Sequence, residues 1–229
     1  MNKKRTLLTV VALILVCVLS IMGTAAYLKT QTTTVTNTFV AAGGGDLIKD
    51  TGALTLVEHE ATKIMQTVTD GEGTKEIWTG KYEIKTGAAT TQAFTYDIMP
   101  GMVVPKDPYV TITEKTSVPA YLYIEVINNL SFSTEVDGKE TLVIDPEHWL
   151  PIEVEDRDIY VYTNDGATPA IVTSDVTANI IKDDKFTVNK DVVPTTLDAD
   201  ETLKFQAFLA QASIGEVTDP AAIFTTCFG

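Results

Sequence analysis

Alternation of apolar and polar residues runs through most of the chain after Gly45, and it limits the possible folds more than any other feature. It recurs in short stretches rich in Val, Ile, Thr, Tyr and Phe, among them KEIWTGKYEIK, PYVTITEK, PAYLYIEVIN, RDIYVYTND, FTVNKDV and TLKFQAFLAQ. Turn-forming sequences such as DGEG, MPGM and NDGATP separate these stretches. A strand with this pattern buries one face and exposes the other. Because no crossover helices intervene, we predict an all-β fold, an antiparallel β-sandwich with short helical or loop insertions.

One segment, residues 54–68, fits two patterns. It begins with the strand-like sequence ALTLVEH. The apolar positions that also fit a helical stripe are Leu54, Val57, Ala61, Ile64, Met65 and Val68. Periodicity alone does not separate these alternatives. We expect a strand to about Glu58, followed by a helical turn or a loop.

The N-terminus has the order of a secretory signal. A basic triplet at residues 3–5 precedes an apolar run over residues 7–21. We predict a signal helix that is cleaved before Tyr27, because Thr24 and Ala26 supply the small side chains that a signal peptidase accepts. The alternative is an uncleaved membrane anchor, which would be the protein's one contact with the membrane. The run is shorter than the ~20 apolar residues that a span needs.

The chain therefore divides into three parts. Residues 1–26 are the signal peptide, residues 27–45 form a threonine-rich and almost uncharged strip, and residues 46–229 form the β-domain. The strip ends in three glycines, Gly43, Gly44 and Gly45. Since glycine permits many backbone conformations, we interpret this triplet as a hinge.

The charge of the chain excludes some partners. The formal charge is -14, and the signal carries three basic and no acidic residues, so that its removal makes the charge -17. Contacts with nucleic acid and anionic lipid are built from Lys and Arg. We expect a secreted protein that binds no nucleic acid.

The chain has few side chains in an arrangement typical of a catalytic or metal-binding site. HEATK, starting at His59, resembles the zinc-protease motif HExxH, but Lys63 replaces the second histidine ligand. His148 is the one other histidine. The acidic groups are Glu153 with Glu155, Asp183 with Asp184, and the cluster of Asp198, Asp200 and Glu201. The last cluster could bind Ca²⁺ through oxygen ligands, but it lacks the glycine-turned loop and the distal Glu of a dedicated site. We therefore interpret these acidic groups as solvated surface. We predict no catalytic residue, no metal site and no cofactor.

The two cysteines do not form a disulfide framework. Cys17 lies in the apolar run and leaves with the signal. Cys227 is then alone, either as a small hydrophobic residue in a terminal segment or as a thiol available for an intermolecular disulfide.

Several segments resemble one protein family. GTAAYL after the apolar run, followed by NTFVAAG, resembles the signal and mature start of the TasA/camelysin family of exported Gram-positive proteins, which a signal peptidase of the SipW type cleaves. Residues 98–126, 158–176 and 203–224 are similar to further family segments. The chain departs from the family pattern at Glu114, Lys115, Thr116, Ile124 and Glu125, and residues 62–93 match no family segment.

The resemblance implies a jelly-roll-like β-sandwich and a role in extracellular matrix or cell-surface fibres. It also implies that the segment after the cut acts as a donor strand, which enters a groove in the next subunit. The candidate donor residues are Val35, Asn37 and Phe39. Thr and Val favour an extended chain, and a strand added to a sheet edge gains main-chain hydrogen bonds. The alternatives are a strip that pairs with its own sheet and a disordered tail.

The sequence thus favours a secreted, non-enzymatic structural subunit of a biofilm-matrix or surface fibre. Its expected partner is a second copy of itself, in a head-to-tail homopolymer, or a related fibre subunit, apart from the signal peptidase during export. The alternative is a monomeric surface adhesin or fibre-accessory protein. A metal-dependent protease is the least favoured function, because the chain has two histidines and no metal-binding pattern.

Overall fold

The computed structural model describes residues 32–39, 53–70, 73–90, 94–131, 141–191 and 201–229, the first of these through its backbone alone. The described strands are β1 (Thr32–Phe39), β2 (Leu54–Val57), β3 (Ala61–Asp70), β4 (Gly73–Ile84), β5 (Phe94–Asp97), β6 (Val103–Pro105), β7 (Tyr109–Ile112), β8 (Ala120–Asn128), β9 (Trp149–Val154), β10 (Arg157–Tyr162), β11 (Val176–Asn179), β12 (Lys185–Thr187) and β13 (Thr202–Gln211). A 3-10 turn spans Lys182–Asp184, and helix α1 spans Pro220–Phe228. The prediction of an all-β fold is confirmed.

The strands form one large sheet and several small ones. The large sheet has the order β5-β1-β13-β8-β10-β9. A three-stranded sheet has the order β11-β7-β2, and β12-β6 and β3-β4 form two-stranded sheets. Among the described strands, each pairing is antiparallel except that of β1 with β13, which is parallel.

Strand β8 shows why the alternating pattern produces this arrangement. Leu122 and Ile124 are fully buried in the main core, together with residues of β2, β7, β12 and β13. Tyr121 and Tyr123 belong to a second cluster, which includes residues of β10, β13 and α1. Because successive side chains of a strand point to opposite faces, β8 contributes to both clusters and is covered on both sides.

Helix α1 covers the second cluster and has clear start signals. The side chain of Asp219 accepts a hydrogen bond from the backbone N of Ala222 at 2.8 Å, and Pro220 occupies the first turn. Phe224 is fully buried, and its ring lies 5.2 Å from that of Tyr123. Arg157 donates to the backbone oxygen of Phe228 at 2.9 Å and so ties the end of the helix to the large sheet.

The expected helical turn after Glu58 is wrong. Residues Ala61–Asp70 form strand β3, which pairs with β4 as a long hairpin. The apolar stripe does not mark a buried helix face, because Met65 is 46% exposed and Val68 is 37% exposed. Ala61, at the base of the hairpin, does pack against the main core. Trp78 and Tyr82 of β4 also pack against this core, whereas residues 65–69 of β3 are exposed.

Candidate assembly interface

Strand β1, which contains the predicted donor residues, lies inside the large sheet between two strands from distant parts of the chain. On one side it pairs in parallel with β13, from Thr34 opposite Thr202 to Phe39 opposite Ala207. On the other side its first half pairs with β5, antiparallel. We call the gap between β5 and β13, which β1 fills, the acceptor slot. The N-terminal strand of this chain thus completes its own sheet.

The register aligns the predicted donor residues with the main core. Their partners in β13 are Leu203 for Val35, Phe205 for Asn37 and Ala207 for Phe39. All three partners are buried and belong to the main core. Since paired residues of neighbouring strands share one face of a sheet, positions 35, 37 and 39 fall on the core face of β1. The strand is placed as a donor strand must be, whether the sheet is its own or another subunit's.

The first wall of the acceptor slot, β13, is fixed by its opposite edge. Nine consecutive residues of β13 pair with β8, from Leu203 opposite Asn128 to Gln211 opposite Ala120. Leu203 and Phe205 are fully buried. The edge of β13 that faces β1 is therefore held in place by the most buried part of the molecule.

The second wall, β5, is held by the β3–β4 hairpin. The backbone N–H of Asp97 donates to Tyr82 Oη at 2.7 Å, and the carboxylate of Asp97 contacts Lys63 Nζ. The ring of Tyr82 lies 5.2 Å from that of Tyr96, which is buried in the core. Burial raises the pKa of Tyr82 to about 12. The hairpin therefore positions the outer strand of the slot.

A slot of this kind binds extended peptide. If β1 left, backbone N–H and C=O groups of both β13 and β5 would lose their partners. Unpaired groups on a sheet edge are satisfied most readily by another strand. In the described structure, β1 of the same chain satisfies these groups.

The predicted residues of the cleavage site and of the hinge lie outside the described residues. These are Thr24, Ala26 and Tyr27 of the cleavage site and Gly43, Gly44 and Gly45 of the hinge. Cleavage before Tyr27 and the hinge role both stay predictions.

The HEATK segment does not form a metal-binding helix. His59 Nδ1 lies 2.6 Å from Asp107 Oδ2, and Lys63 belongs to strand β3. Glu60 Oε2 lies 3.1 Å from Lys85 Nζ. Within the described residues, no group of three or more His, Cys, Asp or Glu side chains could hold a metal ion. The residues of this motif take part in ion pairs along the hairpin and at its base.

His148 and Asp184 also contact polar side chains that are close in sequence. His148 Nδ1 lies 2.7 Å from Asp145 Oδ2. The side chain of Asp184 accepts a hydrogen bond from Asn179 Nδ2 at 3.1 Å, and Asp183 is exposed.

The remaining acidic residues of the predicted surface groups are spread over the molecule. Glu153 and Glu155 are exposed at the end of the β9–β10 hairpin. The prediction of solvated surface is wrong for Glu201, which is buried at 4% exposure because its carboxylate accepts a hydrogen bond from the backbone N of Ser131 at 2.7 Å. Asp198 and Asp200 fall outside the described residues.

Cys227 is exposed on helix α1. Partial burial raises the pKa of its thiol, so that the thiolate form is disfavoured. Its place in a terminal helix leaves both interpretations of Cys227 open.

An ion pair between two buried side chains could not be predicted from the sequence. Lys106 Nζ contacts Glu58 Oε2, and their side chains are 0% and 1% exposed. Burial lowers the pKa of Lys106, and Glu58 partly offsets this effect. Lys106 follows a proline in VVPKDP and Glu58 ends a strand, so both look like surface residues until the fold brings them together.

Comparison with known protein families, with curated proteins and with solved structures gives no match. Where the structure describes the chain, no helix has the length and apolar character required to cross a membrane.

Proposed function

We propose that this chain is a secreted structural subunit of an extracellular-matrix or cell-surface fibre, and that it assembles by adding its N-terminal strand to the sheet of the next subunit. The observation that carries this proposal is the position of β1 in the acceptor slot, between β5 and β13. The large sheet and the smaller sheets form a jelly-roll-like β-sandwich around the main core. The chain has no enzymatic role in this proposal.

The exchange needs no new type of contact. Strand β1 makes backbone pairs with β13 and β5 in its own chain, and an identical strand from a second copy would make the same pairs. The free energy gained by exchanging the strand is therefore small for each subunit. The exchange nevertheless creates a connection between subunits. Because each subunit gives a strand at one site and receives a strand at another, the contact is head-to-tail and propagates into a filament.

Two further features support the proposal. Strand β1 lies near the N-terminus, so that it can leave the slot without pulling another strand through the sheet. Its sequence, TTTVTNTF, carries no charge, which suits a strand placed between two others in a buried sheet. The glycines at positions 43–45 supply the predicted hinge between this strand and the rest of the chain.

A second candidate function has an observation of its own. Strand β1 completes the sheet of its own chain, which leaves the slot filled in a single subunit. A protein that keeps this arrangement would remain a monomer and act as a surface adhesin or as an accessory protein that anchors fibres of another subunit.

Electron microscopy of purified protein separates these two functions. We would compare residues 27–229 with residues 46–229, which lack β1. Two point variants refine the comparison. Thr34 is paired on both sides, with Thr202 and with Thr95, so T34P removes a backbone donor inside the slot. T34A is the matched control, because it keeps that donor.

The proposal predicts filaments from residues 27–229 and from T34A, and single particles from residues 46–229 and from T34P. If all four proteins remain single particles, self-assembly is contradicted and the monomeric function is favoured. Filaments from residues 46–229 would contradict the role of β1, since assembly would then use another surface.

A further inference from the structure

The contact between Lys106 and Glu58 lies in the protein interior, unlike a surface ion pair. Both side chains are withdrawn from solvent, at 0% and 1% exposure. Lys106 Nζ lies 6.0 Å from the centre of the Tyr96 ring, which is itself buried in the main core. A charged amine and a charged carboxylate are each costly to bury in such surroundings.

The backbone holds the two partners firmly in place. Glu58 exchanges two backbone hydrogen bonds with Thr90, at 3.0 and 2.7 Å. The backbone N of Lys106 donates to the backbone oxygen of Asp184 at 2.7 Å. Because the backbone is hydrogen-bonded at both Glu58 and Lys106, the amine and the carboxyl group are kept together in the folded protein. Such fixed proximity greatly raises the effective concentration of two reacting groups.

Transfer of one proton from Lys106 to Glu58 converts the ion pair into a neutral amine and a carboxylic acid. Low polarity favours this form, because it carries no charge. The lowered pKa of Lys106 points in the same direction. A neutral amine is a nucleophile, and a carboxylic acid is its acceptor in amide formation.

We propose that Lys106 and Glu58 condense into an intramolecular amide bond in the folded protein. Nζ of Lys106 attacks Cδ of Glu58, a C–N bond forms and a C–O bond of the carboxyl group breaks. The departing hydroxyl takes one proton from the amine and leaves as water. The step needs no oxidant, reductant or further reactant. Burial then protects the amide, since hydrolysis would require water to enter the core.

The bond would cross-link two parts of the fold. Glu58 lies between β2 and the β3–β4 hairpin, and Lys106 lies between β6 and β7. The cross-link would close a loop that contains the hairpin and β5, the outer wall of the acceptor slot. It goes beyond the proposed function and does not depend on it, because it forms within one subunit.

A second lysine provides a matched comparison. Lys63 also contacts a carboxylate, that of Asp97, but these side chains are 43% and 28% exposed. Water reaches both groups at that site, so the low-polarity surroundings that the reaction requires are missing there. The contrast assigns the reaction to the buried pair alone.

The test is the mass of the purified, denatured protein. We expect it to be lower than the mass calculated from the sequence by one water molecule. An Asp–Gly succinimide would cause the same loss, at Asp70, Asp137 or Asp165. Peptide mapping therefore has to locate the bond. Trypsin does not cleave after an amide-linked lysine, so the expected product is a branched peptide that joins Glu58 and Lys106.

Two variants complete the test. E58M/K106M replaces the pair with apolar side chains, which preserves the fold where a single substitution would leave one buried charge, and it should have its full calculated mass. K63M should still lose one water. The proposal is overturned if the unaltered protein has its full mass, if the loss maps to another site, if E58M/K106M still loses water, or if K63M abolishes the loss.

Discussion

The two edges of strand β13 differ in how firmly they are joined to the rest of the molecule. One edge pairs with β8 over nine residues, antiparallel, and both strands carry buried side chains along this contact. The other edge pairs in parallel with β1 over six residues. The first contact joins two strands within the body of the fold, whereas the second joins the body to a strand near the N-terminus of the chain.

This difference shows how one strand can serve both a permanent and an exchangeable contact. Pairing with β8 cannot be lost without exposing the main core, because Leu122 and Leu209 lie opposite each other within it. In the proposed exchange, pairing with β1 is replaced by the same strand of a second copy, which would make the same backbone pairs. The proposed assembly uses the second edge and depends on the rigidity of the first.

The largest effect on stability is expected at the β8 edge. Leu122 is fully buried, so L122A should lower the free energy of unfolding by about 2–5 kcal/mol through lost packing and the cavity left behind. Denaturant unfolding of the monomeric protein measures this change. The control is Q211A at the exposed end of β13, which should change stability by less than about 0.5 kcal/mol. Equal effects of the two substitutions would contradict the place of Leu122 in the main core.

A smaller effect is expected at the outer wall of the acceptor slot. Y82F removes the acceptor for the Asp97 N–H and should lower the free energy of unfolding by about 0.5–1.5 kcal/mol. Y82F should also change how the free energy of unfolding depends on pH above about 9. The pKa of Tyr82 is raised to about 12, so its contribution to stability is present below pH 10 and is lost as the pH rises toward 12.

Unfolding measured between pH 9 and pH 12 checks the expected pH dependence of the Tyr82 contribution. The unaltered protein should lose more stability over that interval than Y82F, because Tyr82 then no longer contributes. Identical slopes for the two proteins would contradict the assigned environment of Tyr82, and with it the hairpin's hold on β5.

The strands were the most predictable part of the fold. PAYLYIEVIN and TLKFQAFLAQ became β8 and β13, as their alternation predicted. The prediction that each strand exposes one face is wrong for β8, which is buried on both faces because helix α1 covers the second cluster. KEIWTGKYEIK became most of β4, but β3 was missed after Glu58, since a stripe of apolar residues does not reveal whether it will be buried. Helix α1 was also missed, although Asp219 followed by Pro220 is a helix-start signal.

The sites were harder to predict than the strands. Val35, Asn37 and Phe39 were singled out through the family resemblance, and their alignment with β13 depends on which distant strands meet, which alternation does not encode. The Lys106 and Glu58 pair depends on the same information. Two polar residues that are 48 positions apart carry no local sign that the fold will bury them together.

The most direct test of the account is cysteine cross-linking between two different subunits. Thr36 and Lys204 are paired in register, so T36C and K204C place two thiols on adjacent strands. Each substitution would be made separately in protein lacking Cys227, and the two purified variants would be mixed, assembled and oxidised. The account predicts a disulfide-linked dimer that contains one of each variant. If no such dimer forms, and a bond appears only within a chain that carries both substitutions, β1 stays in its own subunit and strand exchange is contradicted.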